Sequence, residues 1–191
     1  MNTIDGPVSP PSIDATERRQ RQVRAVLIGV IAVLFNIGVF LLPIDYTGLG
    51  NYAYLSVFLL TAIANATVII PVPYGGLVAQ VAAQTNNIPL VVLAGALGSV
   101  LGESVAFFVG RSGRSAVQDT RFYRWVQVQL RHPWRAFVVL FVLAAPPNPL
   151  FDIAGLTAGA LGLPYWLFFT AVFLGRIVRI TVFALLGLGL S

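Results

Sequence analysis

The chain has 191 residues, of which 57% are hydrophobic and only 10% charged, with a net charge of +5 and a mean hydropathy of +0.83. A soluble domain carries about 25% charged residues, so this composition excludes an ordinary soluble fold and points to an integral membrane protein of one domain. Cysteine is absent, which excludes disulfides, thiolate metal sites and thiol nucleophiles.

All twelve basic residues are arginine. In a soluble protein, a pI near 10.2 would suggest a nucleic-acid partner. Here the arginines have a membrane explanation, which emerges along the chain.

Residues 1–22 are polar and carry three prolines and then "RRQRQVR". They read as a disordered cytoplasmic tail. Residues 23–42 are apolar, end at Pro43 and lack a small-residue cleavage site. That predicts an uncleaved first transmembrane helix. A membrane domain is expected over 53–188. Its parts are an apolar stretch 53–88 broken by "PVP" at Pro71 and Pro73, a full-length span 89–109, a polar loop 110–135 with six arginines and one acid, an apolar stretch 136–163 broken by "PPNP", and a last span 164–188.

Arginine placement sorts the topology. Arg18, Arg19, Arg21 and Arg24 put the N-terminus in the cytoplasm. If 53–70 crossed fully, the six-arginine loop would fall outside, against the rule. If 53–88 instead enters from outside and returns to the same side, 89–109 delivers the arginines inside. By the same reasoning 136–163 is a hairpin entering from the cytoplasm. Each proline break is followed, 15 or 16 residues later, by a proline that opens a span. The expected fold is therefore an all-α integral membrane protein. It is an inverted repeat of two opposed re-entrant helical hairpins, each followed by a transmembrane helix, plus the N-terminal helix.

The stretch Ala145–Gly155, "APPNPLFDIAG", puts helix breakers and a charge inside apolar sequence. Proline frees backbone groups that hydrocarbon cannot satisfy, so such a break belongs inside protein or beside a wet cavity. Pro147, Asn148 and Pro149 are expected at that turn, with Asn148 as N-cap and Pro149 as first helical residue. Asp152 either complements the helix dipole or faces a polar cavity. Glu103 in one span, and Arg176 and Arg179 three apart on one face of the other, fall at similar depths. They form a structural charge network or a grip for a phosphate. Arg111 and Arg114 read as interfacial anchors for lipid headgroups. Gly98 and Gly102, and again Gly155 and Gly159, have the four-residue spacing of close helix packing.

"PNPLFDIAGLTAG" followed by "LPYWLFFTAVFLGRIVR" resembles the signature segment of the VTT domain superfamily, which groups vacuole membrane proteins with the bacterial DedA proteins. "GALGSVLGESVAFFVGRSG" is similar to the matching glycine-rich segment. The resemblance covers roughly residues 53–185 and implies two opposed re-entrant hairpins and ATP-independent movement of phospholipids between leaflets. The positions matching its motifs are Pro147, Asn148, Pro149, Asp152, Gly155, Gly159, Gly175, Arg176, Gly102, Glu103, Gly110 and Arg111. The chain departs from typical DedA proteins in having no acid in "IIPVPYGGL" and no arginine in "FVLAAPPNPL". Short extensions suggest a prokaryotic member.

The leading expectation is a scramblase or flippase working on membrane phospholipids. Asp152, Glu103, Arg176, Arg179 and Arg111 would serve headgroup contact or coupling. The alternatives are a proton- or ion-coupled transporter of a small solute and a structural membrane protein recruiting partners. No enzyme activity, cofactor, metal or nucleic-acid partner is expected, and the oligomeric state is left open. The expected location is the plasma or inner membrane.

Overall fold

The computed structural model describes residues 47–66, 74–85, 87–113, 121–147 and 150–189, with isolated positions at 23, 27, 30, 34, 38 and 45. The expected tail, most of the first helix, Pro71, Pro73, Arg114, Asn148 and Pro149 lie outside the described residues. Val23, Leu27, Val30, Leu34 and Gly38 are helical, and their spacing sets them on one exposed face.

After a 3-10 turn at Thr47–Leu49 come seven α-helices among the described residues: α1 (Tyr52–Ala66), α2 (Gly75–Gln84), α3 (Ile88–Arg111), α4 (Arg121–Leu130), α5 (Pro133–Ala144), α6 (Leu150–Ala160) and α7 (Tyr165–Gly189). α3 has 24 residues and α7 has 25. At 1.5 Å per residue each is about 36 Å long, enough to cross a bilayer. α1, α2, α5 and α6 have 15, 10, 12 and 11 residues and reach only about two-fifths to three-fifths as far.

Local sequence explains the helix starts. Asn87 caps α3 by accepting from the Leu90 amide at 3.1 Å, and Pro89 sits in the first turn, where its missing N–H costs nothing. Pro133 opens α5 in the same way. The polar loop expected over 110–135 is not all loop. "RFYRWVQVQL" forms α4, which buries Val126 and Leu130 and leaves Arg121, Arg124, Trp125 and Val128 outward. α5 then begins at Pro133, slightly before the expected hairpin boundary.

Glycines set the assembly by letting backbones meet. A Cβ on Gly98 would overlap the Phe58 carbonyl, and one on Gly102 the Ala62 carbonyl, so α1 runs parallel to α3 and stops beside Gly102. α2 lies along the end of α7, with Gly75 beside Phe183 and the Ala79 carbonyl against Gly187. α6 lies along the end of α3, with the Leu156 carbonyl against Gly110 and the Phe107 carbonyl against Gly159. Gly175 meets the Phe141 carbonyl of α5. The short helices α1, α2, α5 and α6 are arms laid on the two long ones. The first arms, α1 and α5, rest on the long helix that follows each in the chain, α3 and α7. The second arms, α2 and α6, lie on the other long helix, α7 and α3, and the two long helices touch each other.

Two apolar cores result. One joins α1, α2, the start of α3 and the end of α7 around Val57, Val78, Val91 and Ile180. The other joins α4, α5, α6, the end of α3 and the start of α7 around Phe107, Leu140, Phe151 and Phe168. Outward, the long helices show continuous apolar stripes: Leu93, Leu97, Leu101 and Val105 on α3, and Leu174, Val178, Val182 and Leu185 on α7. An apolar face of that extent suits lipid, not water.

Candidate functional site: a buried charge layer between two cores

On α7 the second core ends at Val172 and the first resumes at Ile180. That interval holds Arg176 and Arg179, near the middle of the helix. Arg176 is only 2% exposed and Glu103 of α3 only 3%. Nη2 of Arg176 forms an ion pair with Oε1 of Glu103, joining the two long helices where they touch. The Arg176 guanidinium also lies over the Phe151 ring of α6, 5.1 Å from its centre. Nε and Nη1 of Arg176 and Oε2 of Glu103 are buried without a hydrogen-bond partner among the described residues.

Arg179, one turn further on, is half-buried. It lies 5.5 Å from the ring centre of Tyr74 and 5.8 Å from that of Phe183. Its Nε and the Tyr74 hydroxyl are buried without a hydrogen-bond partner among the described residues. Asp152, half-buried in the first turn of α6, is the carboxylate that interacts electrostatically with Arg179. Each arginine therefore faces an aromatic ring at the start of a second arm: Phe151 in α6 for Arg176, and Tyr74 just before α2 for Arg179. Two carboxylates balance two guanidiniums, so the layer carries no net charge.

The structure pairs Glu103 with Arg176, sets Asp152 within electrostatic range of Arg179 and leaves Arg111 apart. Arg111 is exposed at the C-terminal end of α3, where its Nη1 donates to the Leu163 carbonyl at 3.4 Å. Pro147 is exposed just after α5. A Cβ on Gly98, Gly102, Gly159 or Gly175 would run into neighbouring backbone, whereas one on Gly155 would meet only side chains, at 3.6–3.9 Å. Sequence reading missed Tyr74 and Phe151, whose only signal is an aromatic one or two residues after each proline break. It also missed the polar seam between α1 and α3, where Asn65 Nδ2 donates to Ser99 Oγ at 3.2 Å and to the Thr61 carbonyl at 2.6 Å. Ser99 lies one turn before Glu103, so this seam runs into the charge layer.

Lipid-facing stripes, two long apolar helices and charges held in the middle define an all-α membrane protein with a polar interior at mid-depth. The VTT domain family matches residues 70–189, and the chain belongs to that family. Among curated proteins, it is 32% identical over 104 residues to vacuole membrane protein KMS1 of Arabidopsis thaliana, covering 43% of this chain and 24% of that one. It is 29% identical over 103 residues to human vacuole membrane protein 1, covering 43% of this chain and 25% of the human one. It is also 48% identical over 42 residues to the Dictyostelium discoideum homologue of that protein, covering 22% of this chain and 10% of the homologue. The chain thus spans about a quarter or less of the length of these relatives. No solved structure matches it.

Proposed function

We propose that this protein is an ATP-independent phospholipid scramblase or flippase of a plasma or inner membrane, with its N-terminus in the cytoplasm. The observation that carries the reading is the neutral charge layer in the middle of α7, beside the point where the short arms stop. α1 ends next to Gly102 and α2 begins next to Phe183, so that pair is read as a re-entrant hairpin. The exchange of second arms between the long helices supports the inverted repeat.

A headgroup crossing hydrocarbon loses its hydration, and a polar layer at mid-depth lowers that cost. The starts of α2 and α6 add partial positive charge near the arginines, which suits a phosphate. Arg179 is half-buried where Arg176 is buried, so it is the guanidinium within reach of a passing phosphate. Asp152 beside it keeps the grip weak, and a lipid held too tightly would not leave. The acyl tails remain in the bilayer throughout.

The test uses purified protein in liposomes with fluorescent phospholipid in both leaflets and external dithionite, which does not cross the membrane. Bleaching well beyond the outer-leaflet share, without ATP and without leakage, supports scrambling. Protein-free levels for several headgroups would refute it and favour a coupled transporter. Arg179→Gln is expected to slow bleaching roughly tenfold or more, since a hydrogen bond to a charged group is worth about 1.5–3 kcal/mol. Asp152→Asn should also change the rate. Wild-type rates in both variants would show that the charge layer is not on the path.

A further inference from the structure

We infer that a groove on the outer face of α3, separate from the charge layer, holds one acyl chain of a phospholipid whose phosphate rests on Arg111. The groove has a volume of about 560 Å³ and opens to the side. Its walls are Leu101, Val105 and Phe108, with hydroxyls from Ser104, Ser112 and Tyr165. The inference rests on the membrane setting of α3, which the apolar stripe independently supports, and not on lipid movement.

Three observations commit the site to this occupant. The first is length. From Leu101 to Ser112 the helix rises about 16 Å, close to half of the roughly 30 Å hydrocarbon core, so the groove covers one leaflet and one chain. The second is that the groove is shaped by fixed groups. The Tyr165 ring stacks on Phe108 with centres 5.2 Å apart and touches the Phe107 ring at 5.6 Å. Its hydroxyl is 2.8 Å from Ser104 Oγ, which lies 2.7 Å from the Val100 carbonyl. A serine hydroxyl has one proton, and the carbonyl can only accept, so Ser104 donates to Val100 and Tyr165 donates to Ser104. The polar floor is thereby satisfied internally, and the wall it anchors can face a hydrocarbon chain.

The third observation is charge at one end only. Ser112 lines the groove where it leaves the helix end, and the exposed Arg111 is the residue just before it. Among the described residues Arg111 spends one N–H on the Leu163 carbonyl, which leaves the rest of its fork to suit a phosphate. Trp166 is exposed beside Tyr165 at the start of α7, as expected at a headgroup interface.

The test uses the full chain in proteoliposomes containing phosphatidylglycerol with a photoreactive diazirine in one acyl chain. After illumination, adducts are mapped by peptide mass spectrometry. The expected result is several-fold more label on Leu101, Val105 and Phe108 than on the similarly exposed Val178, Val182 and Leu185 of α7. Val105→Trp, on a lipid-facing position that tolerates bulk, should fill the groove and remove the excess. Arg111→Gln should reduce it several-fold. Even labelling of all outward faces, or excess label unchanged by both substitutions, would overturn the inference. Dithionite bleaching of the same liposomes is read separately. Even labelling with intact scrambling sinks only the groove, whereas absent scrambling with groove-specific label sinks only the proposed function.

Discussion

Glu103→Leu is expected to destabilise the protein by about 3–5 kcal/mol, the cost of leaving one buried charge without its partner. Arg176 is the partner left behind, 2% exposed between α3, α6 and α7. Its cation–π contact with Phe151 cannot replace the carboxylate, since such contacts contribute about 0.5–2 kcal/mol. Arg176→Met should be comparably costly, because it strands Glu103 instead. The double substitution Glu103→Leu/Arg176→Met should recover much of the loss, since a buried pair replaced by apolar groups of similar volume is often neutral. Unfolding of the four proteins in the same detergent closes the cycle. If each single change costs no more than the double, the pair does not hold α3 to α7, and the guanidinium is hydrated instead. Scrambling by the stable double variant then separates architecture from transport: lost transport at recovered stability assigns the ions to the path.

The second large effect is steric. Gly110→Ala and Gly187→Ala should each destabilise by about 1–3 kcal/mol or more, because the added methyl overlaps a backbone carbonyl that cannot rotate away: Leu156 for Gly110 and Ala79 for Gly187. Separating α3 from α6, or α7 from α2, would also move the second arms that bring Phe151 and Tyr74 to the arginines. Gly155→Ala is the control on the same helix as Leu156. Its methyl would meet only side chains at ordinary contact distance, and the change should be near neutral or slightly stabilising, alanine being the better helix former. Thermal unfolding in detergent reads all three. Equal midpoints for Gly110→Ala and Gly155→Ala would mean that α3 and α6 are not in backbone contact.

Much of the architecture was legible because it rests on one-dimensional rules. Chain length and hydropathy located the two long helices, since a span needs about 20 apolar residues. Proline placed the breaks and helix starts, because it lacks an N–H wherever it falls. The spacing of Arg176 and Arg179 put them on one helix face at a similar position to Glu103; Arg176 pairs with Glu103, while Arg179 lies against Tyr74 and Phe183. Helix α4 was less legible. Six arginines and a low apolar content read as loop, yet two buried residues, Val126 and Leu130, dock a short helix on the second core.

What the sequence by itself determined is the two long helices, the proline breaks between the shorter segments and the places of Glu103, Arg176 and Arg179 along the long helices. Only the tertiary structure decided which surfaces meet. In a soluble protein, hydrophobic periodicity separates inside from outside. Here lipid-facing Leu97 and Leu101 are as apolar as buried Val91 and Val100, so periodicity cannot tell the two faces apart. The discriminating signal is size, carried by glycines that admit a backbone, and a glycine does not name its partner. Gly187 meets Ala79 across 108 positions, and Glu103 meets Arg176 across 73. The first pairing follows from α2 lying on α7 and the second from the contact of the two long helices, both fixed by how the folded helices fill space together.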